Sequence, residues 1–106
     1  MSAVGNDATS ALLRAIRRKL RGCVVNLLNF RSHSWASVTF TGARHELRIR
    51  IEGEEAQAEA DRFLSNLDCA EFPMRGHLLA DIALVSRENV GDAVELALEA
   101  LTVEDG

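Results

Sequence analysis

The chain has 106 residues, of which 47% are hydrophobic, 26% charged and 5% aromatic, and its formal net charge is −4. These fractions are typical of a globular domain and exclude collagen-like, disordered and disulfide-rich chains. The longest apolar stretch falls far short of the ~20 residues that span a membrane, and no secretory signal is recognisable. We therefore expect one soluble, cytoplasmic domain over residues 1–106, with a flexible leader over residues 1–6 and no membrane partner.

The charge is divided unevenly along the chain. Residues 1–50 contain nine Lys and Arg side chains against two acidic ones, a charge of +7. Residues 51–106 contain three basic side chains against fourteen acidic ones, a charge of −11. The two halves can therefore complement each other between subunits or pair within one molecule.

Apolar residues recur every three or four positions from residue 13 to residue 30, which predicts one face of a helix. Because this stripe passes through Gly22, one helix from about residue 8 to 29 competes with a helix that ends at Arg21 and a strand from Cys23. The unbroken periodicity favours the long helix. Four arginines lie opposite the stripe and form a basic ridge, namely Arg14, Arg17, Arg18 and Arg21.

Residues 35–52 alternate between apolar and polar side chains, which predicts a β-hairpin. Gly42 and Ala43 suit a two-residue type II′ turn. This turn gives the following pairs: Val38 with Leu47, Ala36 with Ile49, and Phe40 with His45 on the buried face; Trp35 with Arg50, Ser37 with Arg48, and Thr39 with Glu46 on the other.

Three further elements follow the hairpin. Acidic residues at positions 54 and 55 favour a second helix from near Gly53, which must end before Pro73. Alternation from His77 to Val85 predicts a third strand, in which Leu78, Ala80, Ile82 and Leu84 face the core. Apolar residues at helical spacing predict a last helix from about Val90 to Thr102.

The predicted order is α-β-β-α-β-α. A right-handed crossover through the second helix places the third strand beside the first, which gives a three-stranded antiparallel sheet of order 2-1-3. With the helices on one face, this is an α+β two-layer sandwich that resembles part of a ferredoxin-like fold. The resemblance is topological and implies no function.

No motif with catalytic or cofactor chemistry is present. The glycines form no phosphate-binding loop, and His33, His45, His77, Cys23 and Cys69 show no metal-ligand spacing. The sequence therefore indicates no catalytic residue, no metal site and no cofactor, and it favours a non-enzymatic domain with buried, reduced thiols. A small-ligand or enzymatic site near His45 is one alternative, because this histidine is predicted on an apolar face.

In a two-layer fold, one face of the sheet carries no helix. An apolar centre with a charged rim is typical of protein interfaces, and the predicted helix-free face has this composition. The sequence thus favours an interaction domain that self-associates as a homodimer, with another protein as a further possible partner. The predicted interface residues are Trp35, Arg48, Arg50, Leu79, Asp81, Ala83 and Val85.

The basic ridge offers a second alternative function. Arg14, Arg17, Arg18 and Arg21 can bind the phosphates of RNA or another polyanion. The acidic isoelectric point, about 5.3, and the lack of paired aromatic residues on a strand weigh against nucleic acid.

Overall fold

A computed structural model describes residues 3–67, 74 and 76–104, with side chains from residue 8 onward. Within these residues the chain forms two helices and four strands in the order α-β-β-α-β-β. The elements are α1 (Ala3–Lys19), β1 (Val24–Ala36), β2 (Thr41–Glu52), α2 (Ala56–Ser65), β3 (His77–Val90) and β4 (Ala93–Glu104).

The four strands form one antiparallel sheet in the order β1-β2-β4-β3. The predicted three-stranded sheet of order 2-1-3 with three helices, and with it the partial ferredoxin-like arrangement, is therefore wrong. Both helices pack against the same face of the sheet around one core. Its members include Leu12 and Ile16 of α1, Phe63 of α2, Ile49 of β2 and Leu96 of β4.

The segment predicted as one long helix forms a helix followed by a strand. α1 begins at Ala3, inside the segment predicted as a leader, and ends at Lys19, so the predicted helix over residues 8–29 is wrong. The shorter alternative, with a strand after Gly22, is the closer one. Residues 24–30 are rich in β-branched and bulky apolar side chains, and pairing with β2 decides their conformation.

β1 and β2 form a hairpin whose turn lies over residues 37–40 rather than at Gly42 and Ala43. Trp35 pairs with Gly42, and Phe30 pairs with Leu47, so the predicted register is wrong. The register differs because the turn lies before Thr41, whereas Gly42 and Ala43 were predicted as the loop. Leu47 therefore pairs with Phe30 and not with Val38.

The predicted last helix is strand β4. From Val94 onward its buried residues alternate, as in a strand with one face on the core: Val94, Leu96, Leu98, Ala100 and Thr102. Ala, Leu and Glu are strong helix formers, which explains the helical prediction. β4 lies between β2 and β3, and pairing on both sides overrides this local preference.

β3 extends to Val90 and contains two irregularities, one between Leu79 and Asp81 and one between Leu84 and Ser86. Each bulge shifts the alternation of side chains by one residue. Of the four residues predicted to face the core, Ile82 alone is buried. Leu79 packs against the core instead.

The second helix lies where the sequence places it. α2 buries Ala56, Ala60 and Phe63 and ends at Ser65, ahead of the proline. Pro73, the predicted limit of this helix, lies outside the described residues.

Candidate functional site

The face of the sheet that carries no helix is lined by the even-numbered residues of β2 and the odd-numbered residues of β4, and we call it the helix-free face. Its centre is charged. The Glu95 carboxylate accepts hydrogen bonds from Arg50 Nη1 at 2.9 Å and from Arg48 Nη1 at 3.5 Å. Glu52 accepts one from Arg50 Nε at 2.7 Å, and this hydrogen bond raises the pKa of Arg50.

These ion pairs join the basic first half of the chain to the acidic second half. Arg48 and Arg50 lie on β2, whereas Glu95 lies on β4, and the two strands are neighbours. A further pair, Arg31 of β1 with Glu46 of β2 at 3.1 Å, lies within the first half. The opposed charges therefore pair within one molecule on this face, although exposed pairs of this kind add little stability.

One end of the helix-free face is apolar. The row across the sheet runs from Trp35 through Gly42 and Val103 to Leu78. Trp35 packs over Gly42, and its indole Nε1 is buried with no hydrogen-bond partner among the described residues. Leu78 is 56% exposed. We define the apolar end as the following residues of this row and of the adjacent turn: Trp35, Val103, Leu78, Val38 and Phe40.

The turn at residues 37–40 holds its apolar side chains in solvent. Ser37 N donates to the Phe40 carbonyl at 2.7 Å, and Phe40 N donates to Ser37 Oγ at 3.0 Å. Val38 is 105% exposed and Phe40 is 56% exposed. The predicted alternation, which places both on the buried face, is therefore wrong. This turn contains neither glycine nor proline, and Gly42 led to a predicted turn centred four residues further along the chain.

Most of the predicted interface residues lie on the helix-free face. Asp81 and Ala83 line a shallow depression with Arg44 and Glu99. Val85 lines a second one with Arg48 and Ala97 of the central strands, among others. Leu79 is the exception, because it packs against the core on the opposite face.

His45 lies at the centre of a buried polar network on the helix side of the sheet. The Thr102 hydroxyl donates to the Ala43 carbonyl at 3.3 Å, so its oxygen accepts from His45 Nε2 at 3.0 Å. Nδ1 of His45 then accepts from Ser32 Oγ at 2.9 Å, and Thr9 Oγ1 lies 3.0 Å from Ser32 Oγ. Both ring nitrogens are thus satisfied.

Burial, and next the nearby His77, lowers the pKa of His45 below its ordinary value of 6.5. A neutral imidazole that accepts from a serine hydroxyl is also found in nucleophilic catalytic sites. In those sites a carboxylate orients the imidazole, whereas here the partner of the second ring nitrogen is the Thr102 hydroxyl. Neither depression on the helix-free face is lined by His45. The enzymatic alternative gains no geometric support from the described residues.

The basic ridge is exposed, as the helix pattern predicts, but its four arginines are not equivalent. Arg17 donates two hydrogen bonds to the Val25 carbonyl, from Nε at 3.2 Å and from Nη2 at 2.9 Å. This arginine fastens α1 to the start of β1. Arg21 lies beyond the end of the helix.

Among the described residues, no group of three or more His, Cys, Asp or Glu side chains is placed to hold a metal ion. Burial, followed by Glu59 and Glu55, raises the pKa of the Cys23 thiol, and Cys69 lies outside the described residues. In the described part of the chain, no helix has the length and apolar character needed to cross a bilayer.

No model of a known protein family matches the chain, and no curated protein matches it either. One solved chain is similar to it in fold. That solved chain comes from a structure described as the virion of a native gene transfer agent particle. The match covers 97% of the present chain and 99% of the virion chain, with a TM-score of 0.63 and 17% sequence identity. At this identity the likeness shows the fold alone.

Proposed function

We propose that this chain is a non-enzymatic structural subunit that associates with further copies of itself through the helix-free face. The turn over residues 37–40 carries the proposal. Its backbone is closed by its own hydrogen bonds, and yet it displays Val38 and Phe40 to solvent, where they contribute nothing to the core. Exposed apolar clusters with a polar rim mark protein contacts. Trp35, beside this turn, is a residue type enriched at the centre of such contacts.

The rim of the apolar end is self-complementary. Arg44 pairs with Leu101 across β2 and β4, and Leu101 pairs with Asp81 across β4 and β3. Neither Arg44 nor Asp81 makes an ion pair within the described chain. A two-fold axis along the strands brings Arg44 of one copy opposite Asp81 of the other, as an isologous dimer requires.

The comparison supports a structural role. The chain that shares this fold is part of a virion particle, and such a particle consists of associated proteins. A subunit of this kind is expected to be found with the assembly that it builds. A purely cytoplasmic location stays a prediction.

Light scattering over a series of protein concentrations tests the proposal. The unaltered chain should associate as the concentration rises, and a double variant, Val38→Asp with Phe40→Asp, should associate less at every concentration. Ala58→Asp is the matched control, because Ala58 is exposed on α2, on the other side of the sheet. The proposal fails if the unaltered chain is monomeric at millimolar concentration, or if the double variant associates as the unaltered chain does.

Polyanion binding is the second candidate, since Arg14, Arg18 and Arg21 are exposed and make no ion pair with a described carboxylate. Affinity for heparin or RNA should then fall steeply with salt concentration. Replacing Arg14 and Arg18 by Gln should reduce the slope of that dependence by about two. Absence of binding at low salt would remove this candidate.

A further inference from the structure

We propose that the two edge strands, β1 and β3, pair with each other between copies, so that the sheet continues from one molecule into the next. This contact runs along the two edges of the sheet and does not depend on the apolar end. Each edge strand is paired on one side only within the described chain. Its outward backbone groups are therefore available to another strand.

The strand directions permit this continuation without inverting a copy. Each neighbouring pair in the sheet is antiparallel, so β1 and β4 run one way while β2 and β3 run the other. When two copies lie side by side in the same orientation, β3 of one is antiparallel to β1 of the next. The alternation of the sheet is then preserved across the contact.

One apolar row extends to both edges and fixes the register. Phe30 pairs with Leu47, Leu47 with Leu98, and Leu98 with Leu84. The two central leucines are 5% and 1% exposed, whereas Phe30 is 42% and Leu84 is 40% exposed. Placing Leu84 of one copy opposite Phe30 of the next makes the row continuous and buries both exposed ends.

The charges of the two edges are complementary in this register. Arg31 then faces Ala83, and His33 faces Asp81, so that the Asp81 carboxylate lies diagonally across from the Arg31 guanidinium. Like charges would meet if two β3 edges paired around Asp81. The edges therefore favour each other over a copy of themselves.

The bulges limit the length of the contact. On β1 the pairing is regular from Asn29 onward, and on β3 it is regular from Asp81 to Leu84, between two bulges. Bulges protect the rest of each edge from pairing. The contact is thus a short one, over residues 30–33 and 81–84, and a head-to-tail contact of this kind gives a ring or an open series of copies.

Cross-linking between two single-cysteine proteins tests this geometry. Arg31→Cys and Ala83→Cys are prepared separately in a chain with Cys23→Ser and Cys69→Ser, mixed in equal amounts and oxidised gently. Directly opposed residues of an antiparallel pair lie within the Cα separation of a disulfide. The mixed 31–83 disulfide should exceed each homodisulfide by about tenfold, as determined by mass spectrometry.

Three controls make the outcome decisive. Ala97→Cys, on the central strand β4, should form only a background level of disulfide with Arg31→Cys. Adding Phe30→Asp to the Arg31→Cys protein should reduce the 31–83 yield about tenfold, while circular dichroism shows an unchanged fold. Adding Val38→Asp and Phe40→Asp should leave the yield unchanged, which separates this contact from the proposed function. A 31–83 yield equal to the 31–97 background, or homodisulfides alone, would overturn the inference.

Discussion

The indole ring of Trp35 occupies the space that a side chain on Gly42 would need. A Cβ atom built on Gly42 would lie 2.7 Å from Trp35 Cζ2 and closer still to the backbone carbonyl oxygen of Thr102. The glycine therefore permits two close approaches at once, that of the aromatic ring across the hairpin and that of the neighbouring strand β4.

Gly42→Ala should lower the free energy of unfolding by about 1–3 kcal/mol, because the added methyl group forces apart an indole and a backbone that are already packed. Urea denaturation measures the effect. Gly22→Ala is the matched control, since the nearest atom to its Cβ is Glu59 Cδ at 4.0 Å. Equal stability of the two variants would contradict the proposed packing role of Gly42.

Thr102→Val should destabilise the fold by about 1–3 kcal/mol, because it leaves the buried Nε2–H of His45 without an acceptor. Thr102→Ser keeps the hydroxyl and should lose less. Thermal unfolding of both variants, compared with Thr41→Val at an exposed position of β2, checks the prediction. If the Thr102→Val and Thr102→Ser proteins are equally stable, the hydrogen bond from His45 does not contribute to the stability of the fold.

Stability should fall as the pH drops below about 6.5, the ordinary pKa of histidine. The folded state lowers the pKa of His45 and so disfavours its protonation, while the unfolded chain takes up the proton more readily. The contribution of neutral His45 is therefore present above the unfolded pKa and is lost as the pH falls through the folded one.

Chemical denaturation from pH 8 to pH 5 measures this dependence. His45→Gln should flatten the curve relative to the unaltered chain, even if it lowers stability throughout. His33→Gln, at an exposed position of β1, should leave the slope unchanged. A slope that persists in the His45 variant assigns the dependence to other groups.

Arg17→Met should destabilise the fold by about 1 kcal/mol, since it removes both hydrogen bonds to the Val25 carbonyl. Arg18→Met, one residue away and exposed, should have little effect. Amide hydrogen exchange should show faster opening at the start of β1 in the Arg17 variant alone. Identical exchange in the two variants would show that Arg17 is an ordinary surface residue.

Much of the local organisation could be predicted from the sequence. The second helix, the presence of a hairpin, the strand at residue 77 and the exposure of the basic ridge all follow from short-range periodicity. The placement of Trp35, Arg48 and Arg50 on the helix-free face also follows, because alternation along a strand fixes the face once the strand itself is correct.

The type of the last element, the hairpin register and the bulges of β3 could not be predicted, because they depend on strands that are distant in sequence. Residues 93–104 fit a helix and a strand equally well until β2 and β3 pair on both sides of them. The hairpin register depends on the turn at residues 37–40, and the two bulges of β3 reverse which side chains face the core. The uneven charge shows the same division. Composition gives two oppositely charged halves, but Arg50 meets Glu95 because β2 and β4 are neighbours in the sheet.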